Sequence, residues 1–304
     1  MNLQGKKYSN IQRLFQVFGL AKLPERKGQK LVCKMEKFDY YETMVRYTVL
    51  GSGSCGNSYY FESGEGSLLI DAGYSCRELL RRIELCGFDP GRLRGIAITH
   101  CHSDHIRGAE VTARKLDIPL FLHKKNNPEL IFKNPPSKIV GFDEKSLLII
   151  AGFQLSPMPT MHDDAHSLTY TISIDGWRAS IITDTGKTDD LMLERAVSSD
   201  VLFLEANYDR QMLAEGPYPY HLKKRISSAR GHLSNEDAAE FLNKISMKKN
   251  SKLKKVYLCH LSESNNCPEI LGEELKTRLQ WQGSWHICRR GEIVGDGNIG
   301  PAGE

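Results

Sequence analysis

From residue 44 onward the chain repeats one pattern: a short run of β-branched and aliphatic residues that stops abruptly on a polar cluster. VRYTVL runs into GSGSCGNS, SLLI into DAG, GIAIT into HCHSDH, FQLSPM into PTMHDD, ASIIT into DTG, DVLFL into EANYD and KKVYLC into HLSESNN. Runs of four to six such residues have the length of strands. Between them lie stretches with apolar residues at helical spacing, among them CRELLRRIELCG, RGAEVTARKL and NEDAAEFLNKI. Strands and helices in this alternation predict one mixed α/β domain over residues 44–304, with no internal repeat or low-complexity linker to divide it. Strands packed side by side bring the loops at their C-terminal ends to one rim, so polar residues far apart in sequence are gathered into one site.

The chain has 304 residues, 40% of them hydrophobic, which supports a sizeable core. No run approaches the roughly 18 to 20 apolar residues of a membrane span, and no secretory signal is evident, so no membrane partner is expected. Eight scattered cysteines without a C-x-x-C pair read as reduced thiols in a cytoplasmic setting. Residues 1–43 differ in character. They carry nine Lys and Arg against four acids, and NIQRLFQVFGLAKL sets Ile11, Leu14, Phe15 and Phe18 at helical spacing. Such a basic leader suits an organellar presequence; the preferred expectation is an N-terminal extension outside the catalytic fold.

The loop THCHSDHIRG, residues 99–108, concentrates the chemistry. His100 and His102, at i and i+2, can project the same way, while Asp104 and His105 continue around the turn to face a second point. Imidazole and carboxylate without thiolate suit Zn²⁺, Mn²⁺ or Fe²⁺ rather than a Cys-rich structural zinc site. Two ions need more ligands, and His162, Asp184 and His260 stand at equivalent strand exits, with Asp184 the candidate bridge. A lone His in a loop is usually a surface or hydrogen-bonding residue. The H-x-H-x-D-H grouping carries the reading, because so many polar groups beside an apolar strand waste desolvation energy unless they bind something.

The segments LGSGSCGNS, LLIDAGYSCREL, THCHSDHI, MHDD, TDTG, LEANYD, GHLSNEDAA and HLSESNN, in this order and spacing, resemble the metallo-β-lactamase superfamily and, within it, the YycJ/WalJ-type subfamily. The resemblance covers nearly all of 44–304. It implies an αββα four-layer sandwich, two mixed β-sheets flanked by helices, that holds two divalent transition-metal ions, Zn²⁺ or Mn²⁺ with Fe²⁺ as a third candidate. It further implies His100, His102 and His162 on one ion, Asp104, His105 and His260 on the other, Asp184 between them, and Asp71 steadying the ligands from a strand end. Cys101 fills the free position of H-x-H and is expected to point away from both histidines. Tyr208 and His166 stand where a His and an acid are expected in many relatives, which bears on substrate preference.

Two cations about 3.5–4 Å apart ionise a shared water and bind the oxygens of the group under attack. The expected nucleophile is thus a metal-bridging hydroxide, with Asp104 orienting it and accepting its proton. The subfamily resemblance implies a phosphodiesterase acting on nucleic acid, an exonuclease with DNA as its substrate; hydrolysis of a small ester, thioester or amide is the alternative. Ser54 and Asn57, in GSGSCGNS, lie where small residues let backbone N–H groups approach an anion, although a plain tight turn explains the stretch equally. In RGHLSNED, Ser234 stands three residues before Asp237 as a helix N-cap, with Asn235 beside it. His232, just ahead, either meets a phosphate or protonates a leaving oxygen, or packs beneath the site. Asn265 and Asn266 are turn residues or substrate hydrogen-bonders. The basic runs HLKKR (221–225) with Arg230, and KKNSKLKK (248–255), are solvated faces or a track for a polynucleotide backbone.

Overall fold

The computed structural model describes residues 45–295; the expectation for the basic leader, residues 1–43, lies outside the described residues. Two sheets are present. The first has six strands in the order β1 (Arg46–Gly51), β2 (Ser58–Ser63), β3 (Gly66–Ile70), β4 (Leu93–Ala97), β5 (Leu120–His123) and β6 (Ile139–Phe142). Its first two pairings are antiparallel and the other three parallel. The second sheet runs in the order β7 (Leu148–Ile150), β8 (Phe153–Pro159), β9 (Leu168–Ile174), β10 (Trp177–Ile182), β11 (Val201–Glu205), β12 (Lys255–Cys259) and β13 (Ser284–Ile287). There β7 to β10 are antiparallel neighbours and β10 to β13 parallel ones. Helices α1 (Cys76–Leu85), α2 (Ser103–Ile106), α3 (Ala109–Leu116) and α4 (Pro128–Ile131) belong to the first half, and α5 (Asp190–Val197), α6 (Arg210–Glu215), α7 (Tyr220–Ile226), α8 (Asn235–Ser246) and α9 (Pro268–Arg278) to the second.

Alternation along each strand sorts the apolar residues into layers. Tyr59, Phe61, Leu68, Ile70 and Phe203 face the space between the sheets, while their neighbours Tyr60, Leu69, Leu202 and Leu204 face outward. The outer face of the first sheet is covered by Leu79 and Ile83 of α1 and Ala113 of α3; that of the second by Met192 of α5, Phe241 and Leu242 of α8, and Leu271 and Leu275 of α9. Strands buried on both faces explain the near-continuous apolar runs, and the result is the expected αββα sandwich. α8 shows the local logic. Ala238, Phe241, Leu242 and Ile245 form its buried stripe, and a capping box joins Ser234 to Asp237 at its start. Among the described residues no helix is long and apolar enough to cross a membrane, and the described cysteines are free thiols.

Phe203 anchors the inter-sheet layer: it is fully buried, meets Tyr47 edge-on at 5.8 Å and stacks on Tyr257 at 5.1 Å between ring centroids. Phe203→Ala is expected to cost about 3–5 kcal/mol in urea unfolding, because neighbours anchored in two sheets cannot collapse into the space. A loss below about 1 kcal/mol would mean that this layer is not the core.

Because β8 and β10 both run antiparallel to β9, the ends of β8, β10, β11 and β12 emerge on one side. Asp71 follows β3, His100 follows β4, His162 follows β8, Asp184 follows β10 and His260 follows β12. The run KKNSKLKK leads into the start of β12, at the opposite end from His260. HLKKR lies on α7, at the site end, where Arg225 donates to Asp163 and Arg230 to the carbonyl of His162.

Candidate metal centre

Three residues leave their strands in the left-handed backbone region: Asp71 (φ 58°), Asp184 (φ 56°) and His260 (φ 60°). For residues other than glycine this costs about 1–3 kcal/mol each and persists only where neighbours hold it. The His260 N–H donates to Ser52 Oγ at 2.7 Å, and Asn207 Nδ2 donates to the His260 carbonyl at 2.7 Å. The GSGSCGNS loop packs so tightly on the histidine loop that Asn57 N–H donates to the Asp104 carbonyl at 2.8 Å. At adjoining Gly73 a Cβ would fall 1.9 Å from that same carbonyl, so only glycine fits.

Oxygen acceptors set the tautomers of His100, His105, His162 and His260. Thr99 Oγ1 donates to Asp71 Oδ2 at 2.8 Å and accepts from His100 Nδ1 at 3.0 Å, which leaves His100 Nε2 with a lone pair. His105 Nδ1 donates to Asp71 Oδ2 at 2.8 Å, His162 Nδ1 to the Gly231 carbonyl at 3.1 Å, and His260 Nδ1 to Glu205 Oε1 at 2.7 Å. Their Nε2 atoms face the site. Fixing ring and tautomer in this way is how proteins prepare histidines for cations.

Potential ligand atoms form four overlapping groups among the described residues: His100 with His105 and Asp184, Asp184 with Glu205, His232 and His260, and the two trios of the expected partition. Those of His100, His102 and His162 lie within 4.8 Å of one another, as do those of Asp104, His105 and His260. Asp184 stands between, Oδ1 4.0 Å from His162 Nε2 and Oδ2 3.5 Å from His105 Nε2. Among the described residues, His162 Nε2 and Asp184 Oδ2 are buried without a hydrogen-bond partner, and His100 Nε2 confronts His102 Nδ1 at 3.0 Å. A buried imidazole lone pair and an orphaned carboxylate oxygen, those of His162 and Asp184, are costly unless positive charge lies among them.

Electrostatics point the same way. Burial, joined by the surrounding imidazoles, pushes His100 well below its usual range, and burial lowers His162, so both offer lone pairs at neutral pH. Burial would also lower His105, yet the carboxylates of Asp184, Asp71 and Asp104 push it up to about 9. Burial would raise Asp104, but His260 and His105 hold it below the usual carboxylate range. Four carboxylates, those of Asp71, Asp104, Asp184 and Glu205, thus surround the histidines and draw in positive charge. The donor set fits a pair of divalent cations, which would displace those protons on binding.

Several residues have roles other than those expected. Asn57 is buried; its Oδ1 accepts from Gly53 N–H at 2.8 Å, so its Nδ2 points to Asp104 Oδ2 and His105 Nε2, both at 3.1 Å. It braces the ligand loop, and within its own loop the Gly53 and Gly56 N–H groups are used internally. Asn235 and Asn266 pair their amides at 3.1 and 2.8 Å, with Asn266 also donating to the Ala206 carbonyl, so both are buried in a clasp. Ser234 is fully buried in its capping box. Ser54 alone of the proposed substrate contacts is exposed. The Cys101 thiol is pushed up to about 12 by burial and the nearby Asp164 and Asp71, and takes a hydrogen bond from Asn126 Nδ2.

Two residues escape the motif reading. Glu205, the last residue of β11, is fully buried and accepts from both His260 and His232 Nδ1 on Oε1, at 2.7 and 2.8 Å. Its only signal in sequence is its place at the head of EANYD, a strand exit like the others. Asp163 has Oδ1 3.2 Å from His162 Nε2 and 3.5 Å from His102 Nε2 and is held by Arg225. His232 sits at the rim, its ring 5.1 Å from that of His162 and 5.2 Å from that of His260.

The sequence profile of the metallo-beta-lactamase superfamily matches residues 54–170. The chain is 35% identical over 234 residues to the exodeoxyribonuclease WalJ of Streptococcus pneumoniae, covering 75% of this chain and 86% of that protein. It is 32% identical over 243 residues to the exodeoxyribonuclease YycJ of Bacillus anthracis, covering 79% and 90%. Among solved structures, the metallo-beta-lactamase fold protein YhfI of Bacillus subtilis superposes with a TM-score of 0.63 at 20% identity, over 83% of this chain and 100% of that one.

Proposed function

We propose, from the premise that this chain belongs to the metallo-β-lactamase superfamily and within it to the group of the WalJ and YycJ exodeoxyribonucleases, that it is a metal-dependent nuclease removing nucleotides from a DNA end. The observation that carries the reading is the convergence of seven ligand side chains from four strand exits on two adjoining points. His100, His102 and His162 would hold one cation, Asp104, His105 and His260 the other, and Asp184 would stand between, with Mn²⁺ and Zn²⁺ the first ions to try. Bound divalent cations ionise water near neutral pH and neutralise charge gathering on phosphoryl oxygens.

The chain's own groups supply the rest. Asp104, braced by Asn57 and kept ionised, is suited to orienting the attacking water more than to storing its proton. His232, its Nδ1–H fixed on Glu205, presents Nε2 at the rim, where it would protonate the departing oxygen. Arg225 and Arg230 add positive charge beside the cluster, which favours a polyanionic substrate over a small ester. The relatives are bacterial DNA exonucleases by name, which supports work in the cytoplasm.

The test is to give Mn²⁺- and Zn²⁺-loaded protein end-labelled single- and double-stranded DNA and RNA, beside the His102→Ala variant. Stepwise shortening of DNA by the first and none by the second is expected. Failure to release nucleotides from any of the four substrates, with metal bound, would end the nuclease reading; shortening of RNA alone would move it to RNA.

A further inference from the structure

One groove beside the metal centre is not used by the chemistry above. A cavity of about 560 Å³ opens between α6, α7 and the start of α8, with Tyr208, Arg210, Leu213, Tyr220, Lys223 and Lys224 in its walls. Three cations line it against one carboxylate, that of Asp237, which Arg210 and the Ser234 cap already hold. Tyr220 is 79% exposed, although a ring of this size normally seeks the core. It follows the segment Pro217-Tyr218-Pro219, and Pro219 is the N-cap residue of α7. Two prolines stiffen that approach, so little conformational freedom is lost when something packs on the ring. Lys223 is drawn into the wall by donating to the Ala214 carbonyl at 2.6 Å.

The groove is joined to the metal centre on two sides. Tyr208 pairs with Ser234, two residues from His232. Arg225, next to Lys224 on α7, donates to Asp163 beside His162 and His102. A single helix of seven residues, about 10 Å long, carries both the groove cations Lys223 and Lys224 and the site-facing Arg225.

We infer that this groove binds a single-stranded stretch of the nucleic acid close to the bond being cut, with a base stacked on Tyr220 and the backbone phosphates on Lys223 and Lys224. The inference rests on the nuclease reading for its biological sense, but its physical content is separate. An exposed ring beside cations takes any unpaired base, since every base offers a π-face, whereas paired bases in a duplex offer none.

The test uses the full chain in EDTA, so that no cleavage occurs, with fluorescein-labelled dT12 and a 12-base-pair duplex as probes. Tyr220→Ala should weaken dT12 binding at least about fivefold, and Tyr220→Phe, which keeps the ring, should not. The Lys223→Ala/Lys224→Ala variant should bind more weakly and with a shallower salt dependence, by about one unit in the log–log slope. A 2-aminopurine placed in dT12 should be quenched by the parent protein and not by Tyr220→Ala. Unchanged affinity in both the tyrosine and lysine variants, or equal competition by polyglutamate, would overturn the groove while leaving cleavage intact. Conversely, a metal-loaded protein that cuts nothing yet loses dT12 binding with Tyr220→Ala would remove the nuclease reading and keep the groove.

Discussion

Asp184→Asn is expected to lower nuclease turnover by more than about 100-fold while leaving a folded protein. The lower bound follows from the cost of losing groups that merely support ligands, about 10–100-fold, which a residue lying between both trios should exceed. Asparagine is the informative replacement. It keeps the size of the side chain and tolerates the left-handed backbone that Asp184 adopts at φ 56°, where alanine would add strain of its own. What disappears is the charge beside His162 Nε2 and His105 Nε2. Elemental analysis should show bound metal falling from about two ions per chain to about one or fewer. Two tightly held ions and turnover within threefold of the parent would remove Asp184 from the centre of the site.

Glu205→Gln should act on stability and catalysis together. Its carboxylate takes four donors: His260 and His232 on Oε1, and the N–H groups of Thr185 (3.2 Å) and Leu233 (3.1 Å) on Oε2. A glutamine must turn its NH₂ toward two of them, leaving donors face to face in a site without water access. Breaking a buried charge network by changing one partner costs about 3–5 kcal/mol. Turnover should fall by about 10–100-fold as the His260 and His232 rings lose their fixed orientation.

The acid limb gives the charge its own signature. Burial would raise Glu205, but His232 and His260 lower it below the usual value of 4.5. A carboxyl depressed in the folded state stabilises fully above its unfolded pKa and loses that contribution as pH falls through the folded one. Urea unfolding in EDTA should therefore show a gap between parent and variant that is full from about pH 5 to 6 and narrows below about pH 4. A gap that ignores pH would mean that Glu205 is not acting as an ionised group.

The clustering of histidines and aspartates at the strand exits was legible for a local reason. His100, His102, Asp104 and His105 are close in sequence, and the histidines and aspartate that complete them each follow a run readable as a strand. The strands β2, β9 and the short β6, β7 and β13 do not close on clusters of His and Asp, and β5 ends on His123 followed by lysines and asparagines. The burial of Asn57, Asn235 and Asn266 was not legible, because exposed and buried amides are identical as letters. Their partners lie 47, 31 and 60 residues away, in Asp104, Asn266 and Ala206. Glu205 was passed over for the same reason, as its value lies in His260, 55 residues on, and His232, 27 residues on.

By itself the amino-acid order determined the alternation of strands and helices, the rim at the strand ends and the kinds of atom offered there, because backbone periodicity and ligand chemistry are properties of neighbouring residues. Only the folded molecule decided which polar groups face the pocket and which clasp one another beneath it, that HLKKR borders the site while KKNSKLKK lies at the far end, and that Tyr220 stands uncovered beside cations. Those outcomes depend on hydrogen-bond partners and burial, which arise where segments distant in sequence meet.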